Sequence, residues 1–170
     1  MKSMVIAVLS LGLAAAAAAD TGVAVVKGTA PDSKVTGTVT FQDTKNGLKV
    51  SAKLSGLEPG DHAFHIHEFG SCENAGMAAG SHYNPLGSKH GFLPKEGLHQ
   101  AHAGDMGNIM VAADGTAVLE VVLPHITLTG GKYDVAGRAL IVHEKKDDFS
   151  QPAGNAGGRV GCGLIVIMGK

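Results

Sequence analysis

The chain has 170 residues, of which 44% are hydrophobic and 17% are charged, and its net charge at pH 7 is −1. A chain of this length can enclose one compact core but hardly two, so we expect a single domain. The near-neutral charge, without a basic cluster, argues against a nucleic-acid-binding surface.

Residues 1–19 have the composition of a signal peptide. Lys2 precedes the apolar run MVIAVLSLGLAAAAA, and small residues fill the positions before Asp20. The alternative is a transmembrane anchor, but the run is short for a span of about 20 residues and its second half is weakly hydrophobic alanine. We therefore predict a cleaved signal peptide (1–19), a domain over residues 20–170, a periplasmic or secreted location, and no membrane attachment after cleavage.

The chain contains two cysteines, Cys72 and Cys162. Outside the cytoplasm thiols meet oxidising conditions, so export predicts a disulfide between them. The alternative is two buried free thiols.

Strand patterns recur along the rest of the chain. The first apolar strand is followed by a hairpin with its turn at Asn46-Gly47, and a second hairpin turns at Asp114-Gly115. The strand segments read GVAVVKG, KVTGTVTFQD, GLKVSAKLSGL, HAFHIHEF, GNIMVAADGTAVLEVVL, GRALIVHE and GCGLIVIM. With 25 glycines and few helical candidates, they predict an all-β fold: an eight-stranded Greek-key barrel or immunoglobulin-like sandwich.

Two segments lack this alternation, 70–105 and 145–159. Loops this long inside a compact domain usually carry function. Six of the nine histidines lie in them or at their edges.

The strand HAFHIHEF carries a candidate metal arm. Because side chains alternate along a strand, His65 and His67 face one side, whereas Phe64 and Ile66 face the core. An HxH pair by itself is weak evidence, since it also fits a polar outer face. The long loop that follows adds His82, His90, His99, His102 and Asp105, and His143 ends a later strand. Imidazoles and a carboxylate in this density indicate a metal site.

Five stretches together resemble the copper/zinc superoxide dismutases, and in particular the secreted or periplasmic bacterial members. They are HAFHIHEFGSC, GSHYNPLGSKHG, HAGDMGN, GRALIVHEKKDD and GNAGGRVGCG, in the family's order. The resemblance covers nearly all of residues 21–167.

The resemblance implies two metals, one copper and one zinc per chain, and superoxide as the substrate. Copper would be bound by His65, His67, His82 and His143, and zinc by His82, His90, His102 and Asp105. His82 would bridge the metals, Arg159 would orient the superoxide anion, and Asp147 would connect the copper ligand His65 to the zinc ligand His90. The reaction would convert superoxide to dioxygen and hydrogen peroxide.

Several residues outside the two ligand sets have other expected roles. We expect His62 to be a packed structural residue, His99 a bystander and His125 a surface residue, while Lys89, Lys95, Lys145 and Lys146 are candidates for attracting superoxide.

The main alternative function is that of a non-enzymatic relative, kept as a metal chaperone or as a copper and zinc store. Loss of a copper ligand or of the arginine would favour it, whereas all are present. A cupin would space its further ligands differently, and a blue-copper site would need a histidine near Cys162 and Met168. The sequence leaves open whether the chain is a monomer or a homodimer.

Overall fold

The computed structural model describes residues 20–168, and the predicted signal peptide lies outside the described residues. Nine strands account for most of the regular structure. They are β1 (Thr21–Gly28), β2 (Thr36–Thr44), β3 (Gly47–Ser55), β4 (Gly60–His67), β5 (Asp105–Val111), β6 (Ala117–Leu123), β7 (Ala139–His143), β8 (Arg159–Leu164) and β9 (Val166–Ile167). A 3₁₀ turn at Met77–Ala79 and the short helix α1 (Leu93–Glu96) lie in the first long loop.

Eight of the strands form a closed antiparallel barrel. Their order is β2-β3-β6-β5-β4-β7-β8-β1, and β1 also pairs with β2, which closes the sheet. The connections from β3 to β4 and from β6 to β7 each pass over two intervening strands, as in a Greek key. The predicted all-β fold with eight barrel strands is confirmed, and β9 adds a short ninth strand beside β1.

Alternation along the strands builds the core. In β2, for example, Val39 and Phe41 are buried, whereas Thr38 and Thr40 on the opposite face are exposed. The strand β4 departs from this pattern because its last six residues are all buried. Its inner face packs in the core and its outer face is covered by the long loops, so polar side chains can be enclosed there.

The structure differs from the sequence-based prediction at two places, the first hairpin turn and the C-terminal strand, and tertiary packing explains both differences. The first hairpin turns at Lys45 and Asn46, because Thr44 pairs with Gly47, which is already in β3. Gly47 has φ 122°, and a Cβ there would lie 2.2 Å from the carbonyl oxygen of Leu123. The C-terminal strand is interrupted at Ile165, whose side chain is fully buried and whose N–H donates to the carbonyl of Arg138 (2.9 Å).

No helix among residues 20–168 is long and apolar enough to cross a membrane.

The predicted disulfide is present. Cys72 in the first long loop is bonded to Cys162 in β8, with their Cα atoms 5.7 Å apart. Cys162 is buried beside Ala139 and Ile141 of β7, with Cys72 packed against them. The bond therefore attaches the start of the loop to the barrel wall.

Reducing this bond should destabilise the fold measurably. It closes a loop with a sequence separation of 90 residues, and chain-entropy arguments assign such a loop about 4 to 5 kcal/mol. We expect urea unfolding to show a loss of this order on reduction. The Cys72→Ser/Cys162→Ser double variant serves as the control, since reductant should leave its unfolding unchanged; an equally stable reduced wild-type protein would contradict the prediction.

Candidate metal centre

The predicted site residues meet on the outer side of β4, β7 and β8, beneath the two long loops. A cavity of about 730 Å³ opens there, and its lining includes His67, His82, His102, His143 and Arg159. The second long loop forms much of the remaining wall, from Pro152 to Gly158. Barrel strands thus supply the floor and the loops supply the rim.

Two groups of potential ligands share this region. The first consists of His65, His67, His82 and His143, and the second of His82, His90, His102 and Asp105; all seven residues are buried. Within each group, one ligand atom per residue lies within 4.8 Å of all the others. Each group could therefore surround a single ion.

Strand pairing places the first group. His65 and His67 of β4 lie opposite Ile141 and Ala139 of β7, the strand that ends at His143. Nε2 of His67 and Nε2 of His143 approach to 3.2 Å. His82 reaches the group from the first long loop through an isolated bridge with His67.

Asp105, the first residue of β5, organises the second group. Its Oδ1 lies 2.9 Å from Nδ1 of His82 and 3.2 Å from Nδ1 of His102, and its Oδ2 lies 2.9 Å from Nδ1 of His90. The backbone N–H groups of Gly91 and His102 donate to Oδ2. One carboxylate therefore gathers three imidazoles by their Nδ1 atoms.

His82 belongs to both groups and uses a different ring nitrogen for each. Its Nδ1 faces Asp105 and lies 3.4 Å from Nδ1 of His102, which leaves Nε2 for the first group. Its ring centroid is 4.1 Å from that of His65 and 5.0 Å from that of His67.

Asp147 connects the two ligand groups by contacting one histidine of each. Its Oδ2 lies 2.8 Å from Nε2 of His65, and its Oδ1 lies 2.9 Å from Nε2 of His90. The side-chain amide of Asn108 holds the backbone of Asp147, donating to its carbonyl (3.0 Å) and accepting from its N–H (2.7 Å). The orientation of both imidazoles is thereby fixed.

The free ring nitrogens fit a metal at each group. Nδ1 of His65 is buried and makes no hydrogen bond, while its Nε2 faces Asp147, although a buried unsatisfied polar atom costs about 1 to 3 kcal/mol. Nδ1 of His67 contacts the carbonyl of Gly80 (3.0 Å), so this nitrogen carries the proton and the Nε2 lone pair points at His143. An all-imidazole set suits copper, and three imidazoles with a carboxylate suit zinc.

Burial and pairing move the pKa values of these groups in opposite directions. Burial is the main cause that lowers the pKa of His82 to about 4, that of His143 to about 3 and that of His67 still further. Burial also opposes protonation of His90, but its contacts with Asp105 and Asp147 outweigh that effect and raise its pKa to about 9. For Asp105 and Asp147 the contacts with histidines outweigh burial and hold both pKa values well below the usual range.

Arg159 lies at the cavity wall with its guanidinium fixed by two carbonyls. Nη1 donates to Gly76 and Nη2 to Gly80, both at 2.5 Å. The Gly80 carbonyl also contacts Nδ1 of His67, so one peptide group positions the cation and an imidazole of the first group. Partial burial lowers the pKa of Arg159 from its ordinary value, yet the side chain stays charged at neutral pH.

The other histidines lie outside both groups. His62 is buried, with Nδ1 2.7 Å from the carbonyl of His143 and Nε2 2.8 Å from that of Glu58, as expected of a structural residue. His99 and His125 are exposed.

The four lysines considered for attracting superoxide do not line the described cavity. The side chain of Lys145 packs beside Gly157 at its rim, whereas Lys146 pairs with Asp61 at 3.5 Å.

Sequence reasoning missed several supporting groups: the Gly76 and Gly80 carbonyls, Asn108, and Gln151, whose amide bonds the backbone of His90. They act through backbone atoms or over long sequence separations, and no local pattern marks them.

Comparisons with known proteins agree with this geometry. The family model for copper/zinc superoxide dismutase (SODC) matches residues 35–165. The extracellular superoxide dismutase [Cu-Zn] of Brugia pahangi is 39% identical over 146 residues, which cover 80% of this chain and 71% of that protein. Superoxide dismutase [Cu-Zn] 3 of Arabidopsis thaliana is 43% identical over 147 residues, which cover 82% and 87%.

A solved structure also matches, described as the clock protein EA4. Its TM-score is 0.78 at 32% sequence identity, with 91% of this chain and 99% of that chain covered. Both named dismutase relatives are eukaryotic, so they support the family without favouring its bacterial branch. The matched barrel and the paired histidine groups lead to one conclusion: this chain belongs to the copper/zinc superoxide dismutase family.

Proposed function

We propose that copper binds to His65, His67, His82 and His143, that zinc binds to His82, His90, His102 and Asp105, and that the chain uses this centre to convert superoxide to dioxygen and hydrogen peroxide. The observation that carries the assignment is the position of His82, which belongs to both ligand groups through opposite ring nitrogens. An imidazole bound on both sides has lost both ring protons, which only two adjacent cations favour.

The chemistry needs a one-electron carrier and a source of protons. Copper held by His65, His67, His82 and His143 would supply the one-electron redox chemistry, since it can cycle between Cu(II) and Cu(I). The chain supplies proton control: Nε2 of His82 can hold a proton on the cavity side while Nδ1 remains directed at Asp105. Overall, two superoxide ions and two protons give one dioxygen and one hydrogen peroxide.

Arg159 is proposed to bind and orient the anion. It carries a permanent charge on the cavity wall shared with His67 and His143. Its guanidinium is fixed by Gly76 and Gly80, so little side-chain entropy remains to be lost when the anion binds.

We further propose that the protein is exported, with the signal peptide over residues 1–19 removed, and acts outside the cytoplasm. The disulfide requires oxidising conditions to persist, and the relative from Brugia pahangi is named an extracellular enzyme.

A homodimer is proposed through exposed apolar side chains on adjacent segments, those of Phe69, Leu164 and Ile167. Their side chains are 54%, 41% and 51% exposed. Gly70 packs against the backbone of Gly137, which bonds Ile165, so these segments are adjacent. Exposed apolar side chains of this kind can be covered by the same side chains of a second copy.

Replacing a copper ligand and replacing the arginine should have different signatures. His143→Ala should lose copper and nearly all activity while zinc is retained, because His143 belongs only to the first group.

Arg159→Ala should keep both metals but slow superoxide loss by roughly ten- to a hundred-fold. This is the rate effect expected from losing one charge-assisted contact of about 1.5 to 3 kcal/mol. Metal analysis and pulse-radiolysis rates measure both quantities.

Full activity in the His143→Ala protein would contradict the copper assignment. Loss of copper from the Arg159→Ala protein would mean that the arginine supports the metal rather than the substrate.

The stability of metal-free protein should be greatest near pH 6.5. Below that pH the histidines of the unfolded chain become protonated, whereas in the folded protein His82 and His143 stay neutral down to about pH 4 and 3. Each of these two residues therefore lowers the free energy of unfolding by about 1.4 kcal/mol for every pH unit below 6.5. Above it, the stabilisation from protonated His90 is lost as the pH rises towards 9. Urea unfolding with a chelator present, between pH 4.5 and 9, measures the curve; stability that rises from pH 6.5 to pH 4.5 would contradict it.

Light scattering and intact mass test export and assembly together. Intact mass should show that protein recovered from outside the cytoplasmic membrane begins at Asp20. Light scattering should give this protein twice the mass of one chain, and Phe69→Glu should convert it to a monomer. Met110→Glu is the matched control, since Met110 is 72% exposed on β5. A wild-type monomer, or retention of residues 1–19, would contradict the respective part.

A further inference from the structure

The second long loop contacts the zinc side of the centre through Gln151, an exposed residue. Its Oε1 accepts a hydrogen bond from the backbone N–H of His90 (3.0 Å), and its Nε2 donates to the carbonyl of the same residue (2.8 Å). The amide thus occupies both backbone polar groups of His90. A distant loop thereby fixes the backbone of one candidate zinc ligand.

Phe149, two residues earlier, covers the ring of the same histidine. The two rings are nearly parallel, at 20°, with centroids 6.2 Å apart, and Phe149 also lies 6.2 Å from Phe92. The backbone of Phe149 has φ 59°, a conformation that is unfavourable for a bulky residue. Its N–H donates to Oδ1 of Asp147 (2.8 Å), which holds it there.

Gly154 brings the loop backbone directly onto the Asp147–His90 pair. A Cβ at this position would lie 1.9 Å from Oδ1 of Asp147 and 2.8 Å from Nε2 of His90. The N–H of Gly154 donates to the carbonyl of Ser150 (2.7 Å), which closes the loop on itself. The segment 149–154 therefore forms a tight cover behind His90.

We infer that Gln151, with Phe149, is a latch that positions His90 and retards the release of zinc. This inference rests on the proposed zinc assignment. For an ion to leave the second group, a ligand must move away, and His90 is held at its backbone by Gln151, at its ring face by Phe149 and at Nε2 by Asp147. Gln151 acts only through His90 and is a positioning residue.

The latch also connects the zinc ligand to the substrate cavity. The chain continues from Gln151 into the segment 152–159, most of which lines that cavity. Holding His90 and shaping the cavity are thus tasks of one continuous loop, anchored at one end by Gln151 and at the other by Arg159.

The test compares zinc release from wild-type holoprotein, Gln151→Met and Gln42→Ala. Methionine keeps the length of the side chain but removes both amide hydrogen bonds, and Gln42 is an exposed glutamine on β2. Transfer of zinc to a chromophoric chelator should be about ten-fold faster in Gln151→Met, the lower end of effects seen for residues that orient metal ligands. Gln42→Ala should match wild type.

Two further measurements separate positioning from general support. The visible spectrum of protein with Co(II) at the zinc position should change in Gln151→Met, while the urea midpoint of the metal-free protein should stay at the wild-type value. Unchanged zinc release would overturn the latch and leave the metal assignment intact. An equal loss of zinc retention and metal-free stability would also overturn it, and a wild-type protein that binds no zinc would overturn the assignment and the latch together.

Discussion

Two buried carboxylates are the constraint on which the centre depends. Asp105 and Asp147 are completely buried, and an isolated charge in such a place would be prohibitively costly. Each is instead surrounded by donors: Asp105 contacts three imidazoles and two backbone N–H groups, and Asp147 contacts His65, His90 and the N–H of Phe149. These contacts join β4, β5 and both long loops, so the geometry of the histidines follows from keeping two negative charges paired.

The barrel makes that pairing possible because it holds backbone and side chains in fixed register. Irregularities in pairing occur beside the ligands, between Ala63 and His65 and between Val142 and His143, as bulges near functional sites often do. The loops are then tied to the barrel by the disulfide and by the amide of Asn108, and to each other by the amide of Gln151. Carboxamides recur here because one side chain can occupy both the N–H and the carbonyl of a peptide backbone.

The sequence allowed the broad fold to be predicted, because period-two alternation and turn residues are local signals. Strand parity likewise separated His65 and His67 from Phe64 and Ile66, and the family resemblance named the remaining ligands. The features that could not be predicted depend on contacts between residues that lie far apart in the sequence. The shifted hairpin turn reflects the closeness of Gly47 to Leu123, the break at Ile165 reflects its bonds to the segment 137–138, and nothing near Gln151 marks His90, 61 residues away, as its partner.

The closure of the barrel also constrains how the chain can fold. Lys27 in the first strand pairs with Cys162 in the eighth, and Gly28 with Gly161. Loop-closure entropy opposes such distant pairings until most other contacts exist. A nascent chain therefore cannot complete its sheet until nearly all of it has been synthesised, and until then the edge of β1 that pairs with β8 remains unpaired. Late closure leaves the barrel incomplete for most of the chain's synthesis, which suits the export proposed above.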